Sequence, residues 1–167
     1  MRYIRKFFLL LFFIPAPVNA QTAFNWVKLG VNGLTCSQCT RSVEMKIRQL
    51  DFVDSVSMNL EHTEGEVFFK KGKKVDIERI ADAVTDAGFS VRYLKAGFTP
   101  DPLAPPNNCF SYAGDTYCFL GPTPLFDHEL QLQFIGPKYL PRNELKTWKK
   151  LLKNKPPKGK GKTYWVS

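Results

Sequence analysis

Apolar residues recur along this chain with two periods, and the places where one period gives way to the other mark its elements. Residues 24–31 (FNWVKLGV) mix aromatic and β-branched side chains and predict a strand, which Asn32 and Gly33 break. From Cys39 the spacing becomes helical: Val43, Ile47 and Leu50 fall at i, i+4 and i+7, with Arg41, Glu44, Lys46 and Arg48 among them. Residues 55–60 (SVSMNL) alternate, which puts Val56, Met58 and Leu60 on one face of a strand. A turn over 61–65 leads to a second short strand, EVFFK, and KGKK reads as a solvated turn. Asp76 is placed to cap a helix whose apolar stripe is Ile77, Ile80, Ala81 and Val84. Gly88 ends that helix, and FSVRYL supplies a further strand.

The order over residues 24–95 is therefore β-α-β-β-α-β, with one apolar stripe per helix and largely one apolar face per strand. This predicts an α+β fold: a ferredoxin-like sandwich, an antiparallel sheet with both helices on one face. Residues 96–108 follow as a proline-rich linker; TPDPLAPPNN holds four prolines in ten positions. Residues 109–167 predict a small C-terminal domain, α+β or mostly β. In it CFSYAGDTYCFL resembles a hairpin, ELQLQF alternates like a strand, and Leu145, Trp148, Leu151 and Leu152 make an amphipathic helix after Pro141. The final TYWV reads as a strand, and no internal repeat relates the two halves.

Residues 1–20 change the picture of the whole. Arg2, Arg5 and Lys6 precede an apolar run from Phe7 to Ile14, and Val18-Asn19-Ala20 is a small-residue cleavage pattern. That is the layout of a secretory signal peptide cut after Ala20, and the run is short of the roughly 20 residues that span a bilayer. The expected location is periplasmic or secreted, with no transmembrane segment in the mature chain. Removing three basic residues lowers the formal charge from +9 to +6. The lysines from Lys146 to Lys162 resemble an anionic-surface patch, but a solvated helix face and tail account for them more simply. Export argues against nucleic acid as a partner.

Four cysteines fall in two unlike pairs. In GLTCSQCT, Cys36 and Cys39 flank Ser37-Gln38 at a loop-to-helix junction. Two thiolates so spaced converge on one soft ion: Cu(I) accepts two sulfurs, while Zn(II) wants four ligands. The helix N-terminus favours deprotonated sulfur there. A redox pair and a structural disulfide remain open beside the metal reading, since an exported chain meets oxidising conditions. The redox reading has less behind it, because no aromatic precedes the first cysteine and no Gly-Pro lies between the two. Met58, His62 and His128 could in principle add ligands; Met58 has a plainer role as a core residue and His62 as a solvated turn residue, while His128 follows Phe126-Asp127 before a strand.

GLTCSQC, set in this frame, resembles the GMTCxxC loop of the heavy-metal-associated domain family, which includes copper chaperones, copper-ATPase amino-terminal modules and the periplasmic mercury-binding protein. The resemblance covers residues 24–95, with Asp86-Ala87-Gly88-Phe89 where the family places its terminal Gly-aromatic turn. It implies that Cys36 and Cys39 are the metal ligands. Gly33, Leu34 and Thr35 would support the loop, and Phe89 would be the aromatic packed beside it. Position 34 departs from the usual Met; Leu should preserve the buried packing role there and leaves metal preference open. Cu(I) is the expected cargo, with Hg(II) or Zn(II) as rivals, and a metal-donor or acceptor protein is the expected partner. No nucleophile-base constellation accompanies the pair, so no enzymatic activity is expected. An interaction protein with its main role in residues 109–167, using the metal module as a sensor, is the other alternative.

Cys109 and Cys118 follow a different logic. With Ala113-Gly114 as a two-residue hairpin loop, Tyr112 pairs with Asp115 and the two cysteines face each other at a non-hydrogen-bonded position. That separation suits a disulfide. A segment this small gains from such a staple. The aromatic residues Phe110, Tyr112, Tyr117 and Phe119 are expected to divide between two faces of the hairpin.

Overall fold

The computed structural model describes residues 23–101, 108–126, 128–153 and 161–167. The expected signal peptide, residues 102–107 of the expected linker and residues 154–160 lie outside the described residues. Strand β1 (Ala23–Asn32), helix α1 (Ser37–Arg48), strands β2 (Val53–Asn59) and β3 (Glu64–Phe69), helix α2 (Ile77–Asp86) and strand β4 (Ser90–Thr99) follow the expected order. The sheet order through these strands is β2-β3-β1-β4, with every pairing antiparallel. This is the ferredoxin-like sandwich. Val43 and Ile47 of α1 and Ile77, Ile80, Ala81 and Val84 of α2 are all buried, as the helical periodicity requires. Asp76 caps α2, accepting from the backbone N–H groups of Glu78 and Arg79. Leu60 departs from its expected place: it lies beyond the end of β2, in a turn closed by Thr63 N–H on the Leu60 carbonyl, and is 37% exposed.

β4 runs on to Thr99, so residues 96–99, expected in the linker, are strand. The reason is a partner on its outer side: Lys95–Phe98 pair antiparallel with strand β7 (Leu130–Ile135). The remaining elements are strands β5 (Cys109–Tyr112) and β6 (Asp115–Phe119), helix α3 (Arg142–Trp148), a turn of 3-10 helix (Leu151–Lys153) and strand β8 (Thr163–Val166). The full order is β2-β3-β1-β4-β7-β8-β6-β5, one eight-stranded sheet in which β6 and β8 are the parallel pair. Strands β5 to β8 thus extend the first sheet at its β4 edge, where the sequence suggested a body apart.

The core is shared in the same way. Phe24 of β1 has its ring centroid 4.9 Å from Phe98, 5.0 Å from Tyr112 and 5.4 Å from Tyr117, so the hairpin curls back over the start of β1. Phe110 pairs with Tyr117 across the hairpin, the rings stacked at 5.1 Å. Because residues 110, 112, 117 and 119 have matching parity in this register, all four aromatic residues share one face instead of dividing between two. On the other side of the sheet Leu120, Ile135 and Leu140 form a smaller cluster that Tyr93, Leu145, Trp148, Leu152 and Trp165 cover.

The hairpin turn is Ala113 (φ 52°) and Gly114 (φ 93°), both left-handed, as a tight two-residue loop requires. Ala113 carries a Cβ where Asn or Gly would sit without strain. Ala113→Asn is expected to raise the unfolding free energy by about 1 kcal/mol, checked by urea denaturation.

One polar cluster ties the new strands to α2. Glu78 accepts from Lys138 Nζ at 2.6 Å and Lys162 Nζ at 2.5 Å, with Tyr164 Oη at 3.5 Å. Lys138, then Lys162, hold its carboxyl down from its ordinary 4.5 to about 2. A depressed carboxylate contributes stability above pH 4.5 that is lost as pH falls towards 2. Both lysines are about half exposed, so screening limits the contribution to about 1 kcal/mol. Chemical denaturation between pH 5 and pH 2 should show that loss in the wild type and a flatter profile in Glu78→Gln.

Candidate metal centre

The CxxC pair is built by the junction between β1 and α1. Gly33 (φ 89°) makes the left-handed bend that turns the chain off the strand, and the position where a Cβ would stand is 3.5 Å from the Phe89 ring. Phe89 comes from the other end of the module, just after α2, where its N–H bonds the Val84 carbonyl at 3.1 Å. The side chain of Leu34 is buried in the core and anchors the loop from beneath, and Thr35 is exposed. A branched apolar side chain does this packing in place of a methionine.

Cys36 is the N-cap of α1. Its Sγ accepts the backbone N–H of Cys39 at 3.2 Å, the role a serine or aspartate oxygen usually fills. That bond and the positive end of the helix both favour negative charge on sulfur. Among the residues of the first turn none is acidic. Cys39 lies one turn on, half-buried, with Cys36 exposed beside it. Their Cα atoms are 5.3 Å apart and the two sulfurs are within bonding distance, so the backbone already converges them. Thr40, which sequence reading passed over, completes the geometry. It is buried, and both its N–H and its hydroxyl donate to the Cys36 carbonyl at 3.1 Å. Its signal was available: a polar residue four positions after Cys36, on the same helical face.

Met58 is half-buried and packs over Gly65. His62 is exposed in the β2–β3 turn, its backbone held by Asn59 and Arg92. His128 lines a separate groove of about 250 Å³ with Phe119 and Leu132. Among the described residues no group of three or more His, Cys, Asp or Glu side chains is placed to share a metal ion. Among the described residues the candidate centre therefore offers the two sulfurs of Cys36 and Cys39. In the second pair Cys109 and Cys118 face each other in the expected register, with Cα atoms 4.1 Å apart and sulfurs within bonding distance.

The ferredoxin-like module thus presents two convergent sulfurs at the exposed N-terminus of α1, a donor pair that suits a soft metal ion. Residues 28–90 match the heavy-metal-associated domain. Copper chaperone CopZ of Bacillus subtilis is 40% identical over 63 residues, 38% of this chain and 90% of the chaperone. Copper-transporting ATPase 1 of Rhizobium meliloti is 41% identical over 76 residues, which are 45% of this chain and 9% of the ATPase. Among solved structures, oxidized MerP from Ralstonia metallidurans is 30% identical, aligned over 41% of this chain and 94% of its own, with a TM-score of 0.38. Through this module the chain belongs to the heavy-metal-associated domain family. The match stops at residue 90, before the strands that extend the sheet.

Proposed function

We propose that this chain is an exported metal carrier that holds Cu(I) between Cys36 and Cys39 and passes it to a partner protein by thiolate exchange. The observation that carries this reading is the pair of sulfurs brought together at the exposed start of α1, with no third ligand among the described residues. Two-coordinate Cu(I) is satisfied by such a site, whereas Zn(II) would call for two further ligands. Hg(II) also suits two thiolates. Copper is placed first because CopZ and the copper-transporting ATPase are copper proteins by name.

The transfer follows from under-coordination. An incoming thiolate or thioether from the partner attacks the exposed ion, giving a three-coordinate bridge. The sulfur of Cys36, the more exposed of the two, then leaves, and a second thiolate or thioether of the partner displaces Cys39, so that the ion ends two-coordinate on the partner. No bond in an organic substrate is made or broken. In the compartment that the leader implies, Cys109 and Cys118 serve as a disulfide staple. Cys36 and Cys39 work only when reduced or loaded with metal.

The proximity of those two sulfurs also supports a second reading, a thiol-disulfide oxidoreductase. Metal content and competitive Cu(I) titration of the reduced chain, alongside insulin reduction, separate the two. Tight one-to-one Cu(I) binding without turnover is expected. Robust insulin turnover with no tight Cu(I) binding would reject the carrier.

A further inference from the structure

The pole of the molecule opposite the metal loop carries a feature that metal transfer does not use. A groove of about 590 Å³ opens there between the β3–α2 loop, the start of β1 and the tip of the β5–β6 hairpin. Phe24, Phe69 and Tyr112 line its interior, and Lys70, Lys71, Lys73 and Lys74 its rim. All four lysines are exposed. Lys70 Nζ donates to the Asp51 carbonyl at 3.1 Å, and among the described residues Lys71, Lys73 and Lys74 form no ion pair. Nearby carboxylates are already engaged: Asp51 with Arg79, and Glu78 with Lys138 and Lys162. The Asp51 carboxylate also attracts Lys73, but the four ammonium groups around one concave mouth outnumber it and form a positive field.

We propose that this lysine-rimmed groove docks the chain on an anionic phospholipid bilayer, its rim binding headgroup phosphates. The lining of the groove favours a membrane over other polyanions. The groove is apolar inside and cationic at its edge, the profile of an interface between headgroup and acyl chain. The ten residues of β1 separate this pole from Gly33, a distance of roughly 30 Å at strand rise. Docked so, the chain holds Cys36 and Cys39 clear of the bilayer and open to a partner. This inference does not depend on which metal is carried.

The test is vesicle co-sedimentation of the chain beginning at Gln21, with neutral phosphatidylcholine vesicles and with vesicles containing phosphatidylglycerol, at low and high salt. Binding is expected to the anionic vesicles only and to be lost at high salt, where screening shortens to a few ångströms. K70Q/K71Q/K73Q/K74Q should weaken it several-hundred-fold, at roughly fivefold per lysine near a charged surface. R41Q/K46Q/K149Q/K150Q removes the same charge elsewhere and should stay within a few-fold of wild type. Circular dichroism and Cu(I) titration of both variants report that the fold is intact. Equal losses in the two variants, absent binding to anionic vesicles, or equal binding to neutral ones would overturn the proposal. So would inorganic phosphate at millimolar concentration abolishing sedimentation, which would mark a free-anion pocket. Equally tight, salt-sensitive capture of a DNA duplex through the same lysines would mark a general polyanion surface.

Discussion

Cys36→Ser/Cys39→Ser is expected to weaken Cu(I) binding by at least about a thousandfold, more than ~4 kcal/mol, while leaving the fold in place. The size of the loss follows from the two-sulfur geometry. A hydroxyl is a hard, neutral ligand, and among the described residues no other soft group is positioned to compensate. The single variants should be nearly as weak, because one sulfur cannot hold a two-coordinate ion. Stability should change little. Serine is itself a favoured N-cap, so Cys36→Ser keeps the bond to the Cys39 N–H that the sulfur now accepts. Competition titration with a Cu(I) chelator, with thermal unfolding of the metal-free forms, reads both quantities. Wild-type affinity in the double variant would move the site away from this loop.

Phe24→Ala carries the largest expected cost in stability, about 3–5 kcal/mol. The ring is 2% exposed and meets Phe98, Tyr112, Tyr117 and Phe134, rings from four different strands. It joins the heavy-metal-associated module to the strands that follow it. The loss should therefore be felt throughout the sheet. Native-state hydrogen exchange would show protection falling together at Val67 in β3 and at Val166 in β8, both fully buried and far apart in sequence. Protection that fell in β8 alone would mean that the two halves unfold as separate units.

How far the sequence foretold this structure depends on the range of the interaction concerned. Helix stripes such as Val43/Ile47 and Ile77/Ile80/Val84 are local signals, and each lies in the core. The geometry of the CxxC loop was equally legible. Cysteines at that spacing before a helix fix their own geometry through the cap, and Gly33 and Phe89 meet because the element order brings them together. Strand pairing across long separations left no such trace. Alternation in ELQLQF announces a strand but not that it lies against Lys95–Phe98, since an open edge is a property of the sheet. Likewise the proline content after Thr99 suggested a boundary between bodies, although the chain on either side shares one core. The even division of the hairpin aromatics failed for a related reason. A face is buried by whatever lies above it, and here that is Phe24.

Strand β8 occupies an interior position, between β7 and β6, although it follows both in sequence. It is the keystone of the second half. Among the described residues the β5–β6 hairpin pairs with the rest of the sheet through those four residues, from Thr163 to Val166. Assembly must therefore hold a gap open until a distant segment arrives to fill it, a non-local closure of the kind that slows folding. Until then the Phe24 side of the first module lacks its aromatic cover and the lysine-rimmed groove lacks one wall. The surface proposed to meet the membrane depends on that non-local closure, whereas the CxxC loop rests on local elements at the β1–α1 junction.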